Sequence, residues 1–174
     1  MTRLIQIRQQ THERAAAITT EHPSWPCREG CDDCCRSLAS EPRVSPPEWQ
    51  EIARAIDELP AELADTVRRR IREAAGQARP VTCALLDRAT GACLIYEARP
   101  IACRSYGFYA ERGQVLGCHR IEALAATPAP ILWGNHAALE AELQDLGPAA
   151  PLSEWLAQSP LERPIPTSPS ADLQ

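Results

Sequence analysis

The sequence predicts a mainly α fold with a short β-hairpin, in the form of a small cysteine-rich, metal-binding domain interrupted by a helical insertion. Three observations lead there. Apolar residues recur at helical spacing near the N-terminus and again between residues 46 and 78. Residues 81–96 hold two short apolar runs separated by a Gly-containing turn. Eight cysteines fall into two blocks, one on each side of the cysteine-free helical segment.

A chain of 174 residues is long enough for one domain with a real core and short for two. The formal net charge of −5 gives the molecule no general attraction for nucleic acid or an anionic membrane. All 18 basic residues are arginine. With abundant Ala, Leu and Pro, this indicates a compositional bias, so arginine clusters carry less functional weight than usual. No apolar run approaches the roughly 18 residues of a membrane-spanning helix. The first residues, Met1-Thr2-Arg3-Leu4-Ile5-Gln6-Ile7-Arg8, turn polar before a signal-peptide core can form. The expected location is therefore the cytoplasm, where thiols stay reduced. Eight cysteines in that setting argue for metal rather than disulfides.

The elements follow in order. Residues 2 to about 20 form an amphipathic helix with Leu4, Ile7, Thr11, Ala15 and Ile18 on one face. Ser45-Pro46-Pro47-Glu48 starts the next helix, with Ser45 as N-cap, Pro46 in the first turn and Glu48 closing a capping box. Its inward face carries Trp49, Ile52, Ala53, Ile56 and Leu59. Pro60 opens another helix to about Ala78, with Leu63, Val67, Ile71 and Ala74 inward and Asp65 in reach of Arg68 and Arg69. The run Arg68-Arg69-Arg70-Ile71-Arg72 is read as a solvated helix face rather than a polyanion patch. The hairpin occupies residues 81–96, a short turn or helix surrounds Arg99-Pro100, and a small strand covers residues 114–117. Asn135 caps a helix through Leu146, which Gly147-Pro148 stops. Ser153 caps a last turn bearing Trp155 and Leu156. A single metal-binding domain thus spans 1–158, with its cysteine-rich part at 25–122 and its helical insertion at 45–79. Residues 159–174 form a Pro/Ser-rich tail expected to be disordered.

The first cysteine block, "CREGCDDCC", holds Cys27, Cys31, Cys34 and Cys35. On a continuous helix at about 100° per residue, all four would face one way, with Cys27 and Cys35 about 12 Å apart along the axis. Tetrahedral zinc, with bonds of about 2.3 Å, needs its sulfurs within roughly 4 Å of one another. A straight helix therefore cannot place all four on one ion. Gly30 offers a bend, with a helix starting near Cys31 or Asp32. The adjacent Cys34 and Cys35 are strained as joint ligands of one ion, so at least one of them serves a second site or is no ligand. The second block, Cys83, Cys93, Cys103 and Cys118, is needed to finish the set. Two four-cysteine sites, or one site plus spare thiols, both remain open. So do zinc, iron and a 4Fe-4S cluster, since each accepts four thiolates. Arg28, Arg36, Arg104 and Arg120 adjoin cysteines and are placed either to offset thiolate charge or to lie as ordinary surface residues.

The pattern Cys27-x3-Cys31-x2-Cys34-Cys35, followed by "CALLDRATGACLIYEARPIACRSYGFY" from Cys83 to Tyr109 and a late Cys118, resembles the YkgJ-type CxxCxxCC zinc- or iron-chelating domain family over residues 25–122. The family name implies two residues between the first cysteines, where this chain has Arg28-Glu29-Gly30. The resemblance implies a small metal-binding domain in which all eight cysteines are candidate ligands. It also implies an association with iron–sulfur oxidoreductases and with peptide- or protein-modifying activities.

Other residues read more plainly. His119 beside Cys118 is a surplus ligand next to eight thiols, and His12, His22 and His136 read as surface or capping residues. Tyr96, Tyr106 and Tyr109 read as packing around the metal region, and Trp25, Trp49, Trp133 and Trp155 as core. No catalytic triad, phosphate loop or thioredoxin-like pattern stands out. The expected function is a zinc- or iron-binding protein whose metal helps organise the fold. Its rivals are an iron–sulfur oxidoreductase, an accessory component of a modifying enzyme, and a metal-delivery partner. The expected partner is a metal ion, with no nucleic acid and no membrane; a protein partner is left open.

Overall fold

The structure, a computed structural model, describes residues 2–128 and 130–158. The tail expected at 159–174 lies outside the described residues. Helix α1 (Arg3–Glu21) begins where the Thr2 hydroxyl accepts the Ile5 N–H at 3.4 Å, and it buries Leu4, Ile7, Thr11 and Ile18 on the expected face. The buried Thr11 hydroxyl donates to the Ile7 carbonyl at 2.8 Å, which satisfies the polar group inside the core. A single turn, α2 (Asp33–Arg36), follows, then strand β1 (Arg43–Val44).

Helices α3 (Pro46–Asp57) and α4 (Ala61–Ala74) form the insertion. Helix α4 stops short of the expected residue 78 because Gly76 weakens the helix and Arg79 precedes a proline, a position that disfavours helical geometry. Ala64, rather than Leu63, joins Val67, Ile71 and Ala74 in its buried stripe. On the outer face, Arg68 pairs with Asp65 at 3.0 Å and with Asp57, while Arg70 donates to the Leu86 carbonyl at 3.2 Å.

The hairpin over residues 81–96 is reduced to one bridge, Leu86 to Cys93, supported by Leu94 N–H to the Leu85 carbonyl at 2.9 Å. The neighbours Leu85 and Leu86 are both buried, which a regular strand with alternating faces does not permit. A regular hairpin lies further on. Strands β2 (Tyr109–Glu111) and β3 (Gln114–Val115) pair antiparallel around Arg112 and Gly113, both at positive φ. Strand β4 (Gly134–Asn135) adds in parallel to β2, giving the order β3-β2-β4. A 3₁₀ turn (Tyr96–Ala98) leads to α5 (Ile101–Ser105), and α6 (His119–Ala125) follows β3. Helix α7 (His136–Gln144) is capped by the Asn135 side chain, which accepts the Ala138 N–H at 3.1 Å. Strand β5 (Ala150–Pro151) pairs with β1 and leads into α8 (Leu152–Gln158). Ser153 lies inside α8 rather than capping it; its N–H and hydroxyl both donate to Glu41, at 2.9 and 2.6 Å.

Apolar side chains gather into two cores. The first joins α3, α4 and α8 to residues 84–95, around Ile52, Val67, Ile71, Leu85 and Leu152. The second joins α1 to α5, α6, α7 and β2, around Ile7, Trp25, Ile101 and Ile121. Glu48 ties them together. It is 6 % exposed; one carboxylate oxygen accepts the Ser45 N–H at 2.9 Å and the Ser45 hydroxyl at 2.7 Å, and the other accepts the Ile101 N–H at 2.9 Å. The expected capping box is therefore also a strut between α3 and α5. Replacing the strut leaves buried donors without an acceptor, so Glu48→Ala is expected to lower stability by about 2–4 kcal/mol. Urea unfolding should show a lower midpoint at unchanged slope, with Glu48→Gln losing less.

Candidate metal centre

The bend anticipated at Gly30 is present. Its φ is +81°, and the Cys31 N–H donates to the Arg28 carbonyl at 3.1 Å, which closes a tight turn before α2. Cys34 and Cys35 then sit within α2, consecutive on one short helical turn. The chain leaving α2 meets the second cysteine block through the backbone. Leu38 and Val81 exchange hydrogen bonds at 2.9 and 2.8 Å, and the Cys83 N–H donates to the Cys35 carbonyl at 2.7 Å. The turn before Cys93 closes on the first block as well. A Cβ on Gly91 would lie 3.1 Å from the Gly30 carbonyl and 3.3 Å from an Asp32 carboxylate oxygen. Cys103 is carried by α5, and Cys118 immediately precedes α6.

All eight cysteines are free thiols, and their mutual influence sorts them into two groups. Cys27 is pushed up to about 12, first by burial and then by Cys31, Cys118 and Cys34, with Arg120 opposing. Tyr106 faces the same group: burial raises its pKa first, followed by Cys34, Cys118, Glu122 and Cys27. The second group is a chain of thiols. Cys34 donates to Cys35, and that bond, with burial, raises the Cys34 pKa. The same bond favours the Cys35 thiolate, but its own bond to Cys83, burial and the neighbouring Cys83 and Cys93 outweigh it and take Cys35 to about 12. Cys93 is raised by burial, with Arg99 and Arg104 opposing. Cys103 is exposed by surface area, yet protein atoms crowded around its sulfur raise its pKa first, then Cys35, Cys34 and Cys93, with Arg99 opposing. Cys27 and Cys118 pack against the second core, and Cys83 and Cys93 against the first. The thiols converge in pairs and chains: among the described residues, no three His, Cys, Asp or Glu side chains already stand where they could hold an ion.

As a donor set, eight thiols suit zinc, iron or an iron–sulfur cluster far better than a hard cation. The family model described as "CxxCxxCC: Putative zinc- or iron-chelating domain" matches residues 26–125, more than half of the chain. The chain belongs to this CxxCxxCC family. No curated protein and no solved structure matches it. The CxxCxxCC match contains all eight cysteines and the α3–α4 insertion, whereas α1, α7 and α8 lie outside it.

Among the described residues, one arginine contacts a thiol and two more act on thiols through their charge. Arg120 reaches Cys31 Sγ at 3.9 Å and is shared with Asp33 at 3.4 Å. Arg104 donates to the Arg99 carbonyl at 3.1 Å and to the Glu97 carbonyl, while Arg99 lies 3.8 Å over the Tyr96 ring. Arg36 pairs with Asp32 instead. His119 and His12 are exposed; His22 leans on Trp25 and His136 pairs with Glu140 at 3.6 Å. A cleft of about 200 Å³ between α1, α7 and β4 contains no cysteine, and its Arg14, Asn135 and Glu142 are engaged with Leu132, Ala138 and Arg3.

Sequence reasoning passed over Gly107. At φ +85°, it leaves room for a sulfur: a Cβ there would collide with Cys27 Sγ. The signal was a glycine between two aromatic residues, Tyr106 and Phe108, just after a cysteine-bearing turn. Gly107→Ala is expected to displace Cys27 and lower the metal content of the purified protein. Gly113→Ala serves as the control: it shares the positive φ, but nothing lies within 4 Å of its added Cβ. Elemental analysis of the two variants checks this.

Proposed function

We propose that the chain holds two metal ions, zinc or iron, in two four-thiolate centres, and that loading them organises the segments between its two cores. The observation that carries this reading is that Cys27 and Cys118 pack against one core and Cys83 and Cys93 against the other, with the adjacent Cys34 and Cys35 linking the two sets. Centre A comprises Cys27, Cys31, Cys34 and Cys118; centre B comprises Cys35, Cys83, Cys93 and Cys103. Cys34 feels both groups, but centre B has four donors without it, and Cys34 completes centre A. The pairwise convergence of the metal-free thiols fits a site that tightens as ligands are recruited, so that binding free energy becomes folding free energy. A divalent ion with four thiolates carries a charge of about −2. Arg120 supports centre A against that charge, and Arg99 and Arg104 support centre B. In a reducing compartment such as the cytoplasm, all eight thiols stay available.

A second reading rests on Cys103. Cys103 is an exposed residue with a crowded sulfur at the edge of centre B, where an iron–sulfur cluster would meet a redox partner or a substrate. In that case the chain is an oxidoreductase or the accessory component of a protein- or peptide-modifying enzyme.

Purification without oxygen, metal analysis and a visible spectrum test both readings. Colourless protein with two zinc ions supports the first, and brown protein with iron and labile sulfide supports the second. One ion per chain would sink the two-centre assignment. Cys34→Ser should impair centre A and Cys35→Ser centre B, so zinc-loaded variants should protect different cysteines from alkylation; identical patterns would count against the split.

Uptake should also release protons. Cys27, Cys34, Cys35, Cys93 and Cys103 all have raised pKa values, so at neutral pH they are protonated before they bind. Ligation removes those protons, hence affinity falls as pH falls and rises as pH rises. Calorimetric zinc titration in two buffers of different ionisation enthalpy should report release of at least five protons per fully loaded chain, one from each of the five thiols named.

A further inference from the structure

Cys34 and Cys35 are consecutive residues, and under the two-centre reading they are ligands of different centres. Adjacent Cα atoms are about 3.8 Å apart and metal–thiolate bonds about 2.3 Å long, so both centres are confined to one neighbourhood on the order of 10 Å across. That is comparable with the screening length of about 8 Å at physiological ionic strength. Two centres of like charge at this range cannot load independently.

Their surroundings also differ. The guanidinium beside centre A, Arg120, is divided between Cys31 at 3.9 Å and the Asp33 carboxylate at 3.4 Å. Asp32, at the start of the same turn, pairs with Arg36, and Glu122 stands with Cys118 and Cys27 around Tyr106. Beside centre B, Arg104 is held by two backbone carbonyls, which fix the side chain without cancelling its charge. Arg99 is fixed over Tyr96, and its buried Nε–H has no hydrogen-bond acceptor. Arg8 stands behind Arg104 and pairs across to Glu51 on α3. Among the described residues, the guanidinium that contacts centre A is thus shared with a carboxylate at 3.4 Å, whereas centre B is flanked by two guanidiniums, Arg99 over the Tyr96 ring and Arg104 next to Cys103 in α5, with Glu97 acting on Arg104.

We infer that the two centres load in a fixed order, B before A, with Arg99 and Arg104 setting the order and the Cys34–Cys35 junction making the second ion bind more weakly than the first. Centre B is then the resident site that holds the fold, and centre A is the exchangeable one. This inference rests on the two-centre reading. Two charges of −2 about 10 Å apart weaken the second step by roughly two- to 25-fold once salt is allowed for, between the dielectric of water and that of a protein surface.

Stepwise withdrawal of zinc from fully loaded protein tests the order. A competing chelator of known affinity removes the metal, and alkylation with mass-spectrometric readout identifies the thiols freed at each stage. The expected result is two steps, with Cys27, Cys31 and Cys118 labelled in the first and Cys83, Cys93 and Cys103 in the second. Arg99→Gln should narrow the interval between the steps at least severalfold. Arg104→Lys, which keeps the charge, should preserve it; a purely structural role for Arg104 would disturb folding without changing the ratio of the steps. Release of both groups at one chelator concentration, or of the centre B thiols first, would overturn the order while leaving two centres in place. A fully loaded stoichiometry of one ion would overturn the two-centre reading and the order with it.

Discussion

The remaining arrangement depends on two consecutive thiols carried by one short helical turn. That turn leaves the Cys34 and Cys35 thiols hydrogen-bonded to each other, with further cysteines arriving from either side. From the N-terminal side come Cys27 and Cys31, folded back by Gly30, and Cys118 reaches them from the approach to α6. From the other side comes the segment that pairs with the exit of α2 and delivers Cys83 and Cys93. The adjacency is covalent, so no relaxation of loops removes it.

The two cores follow from the same division. The α3–α4 insertion makes a hydrophobic body of its own, and residues 84–95 lie across it with their cysteines at its edge. Helix α1 and the β2 region make the other body, with Cys27 and Cys118 at its edge. Neither body contains all the thiols of one block, which is why the cysteines mix across the sequence. The junction would be a seam of polar and sulfur atoms were it not for Glu48, which braces the start of α3 against the start of α5.

Much of this was legible in the residues. The caps at Ser45–Glu48 and Asn135, the stripe of α1 and the break at Gly30 are local signals, and local physics settled them. The hairpin at 81–96 was less secure, because alternation was inferred where Leu85 and Leu86 are both drawn inward by the insertion core. Ser153 looked like a cap, but Glu41, more than a hundred residues earlier, claims its hydroxyl. The grouping of the cysteines was legible only in outline: spacing excluded a one-ion cage on a straight helix, whereas the partners of each thiol depend on pairings such as Leu38 with Val81. Gly107 escaped for the same reason, since the atom that requires its smallness belongs to Cys27, 80 positions away.

The family match ends near residue 125, but the packing does not. Leu4, Ile7 and Ile18 of α1 complete one core, Leu152 and Leu156 of α8 complete the other, and β5 and the Trp155 indole close onto β1 and Val44. The inherited unit is therefore smaller than the cooperative one. A fragment trimmed to the shared segment would keep every thiol and lose a wall of each body, so lineage borders make poor cutting sites in this chain.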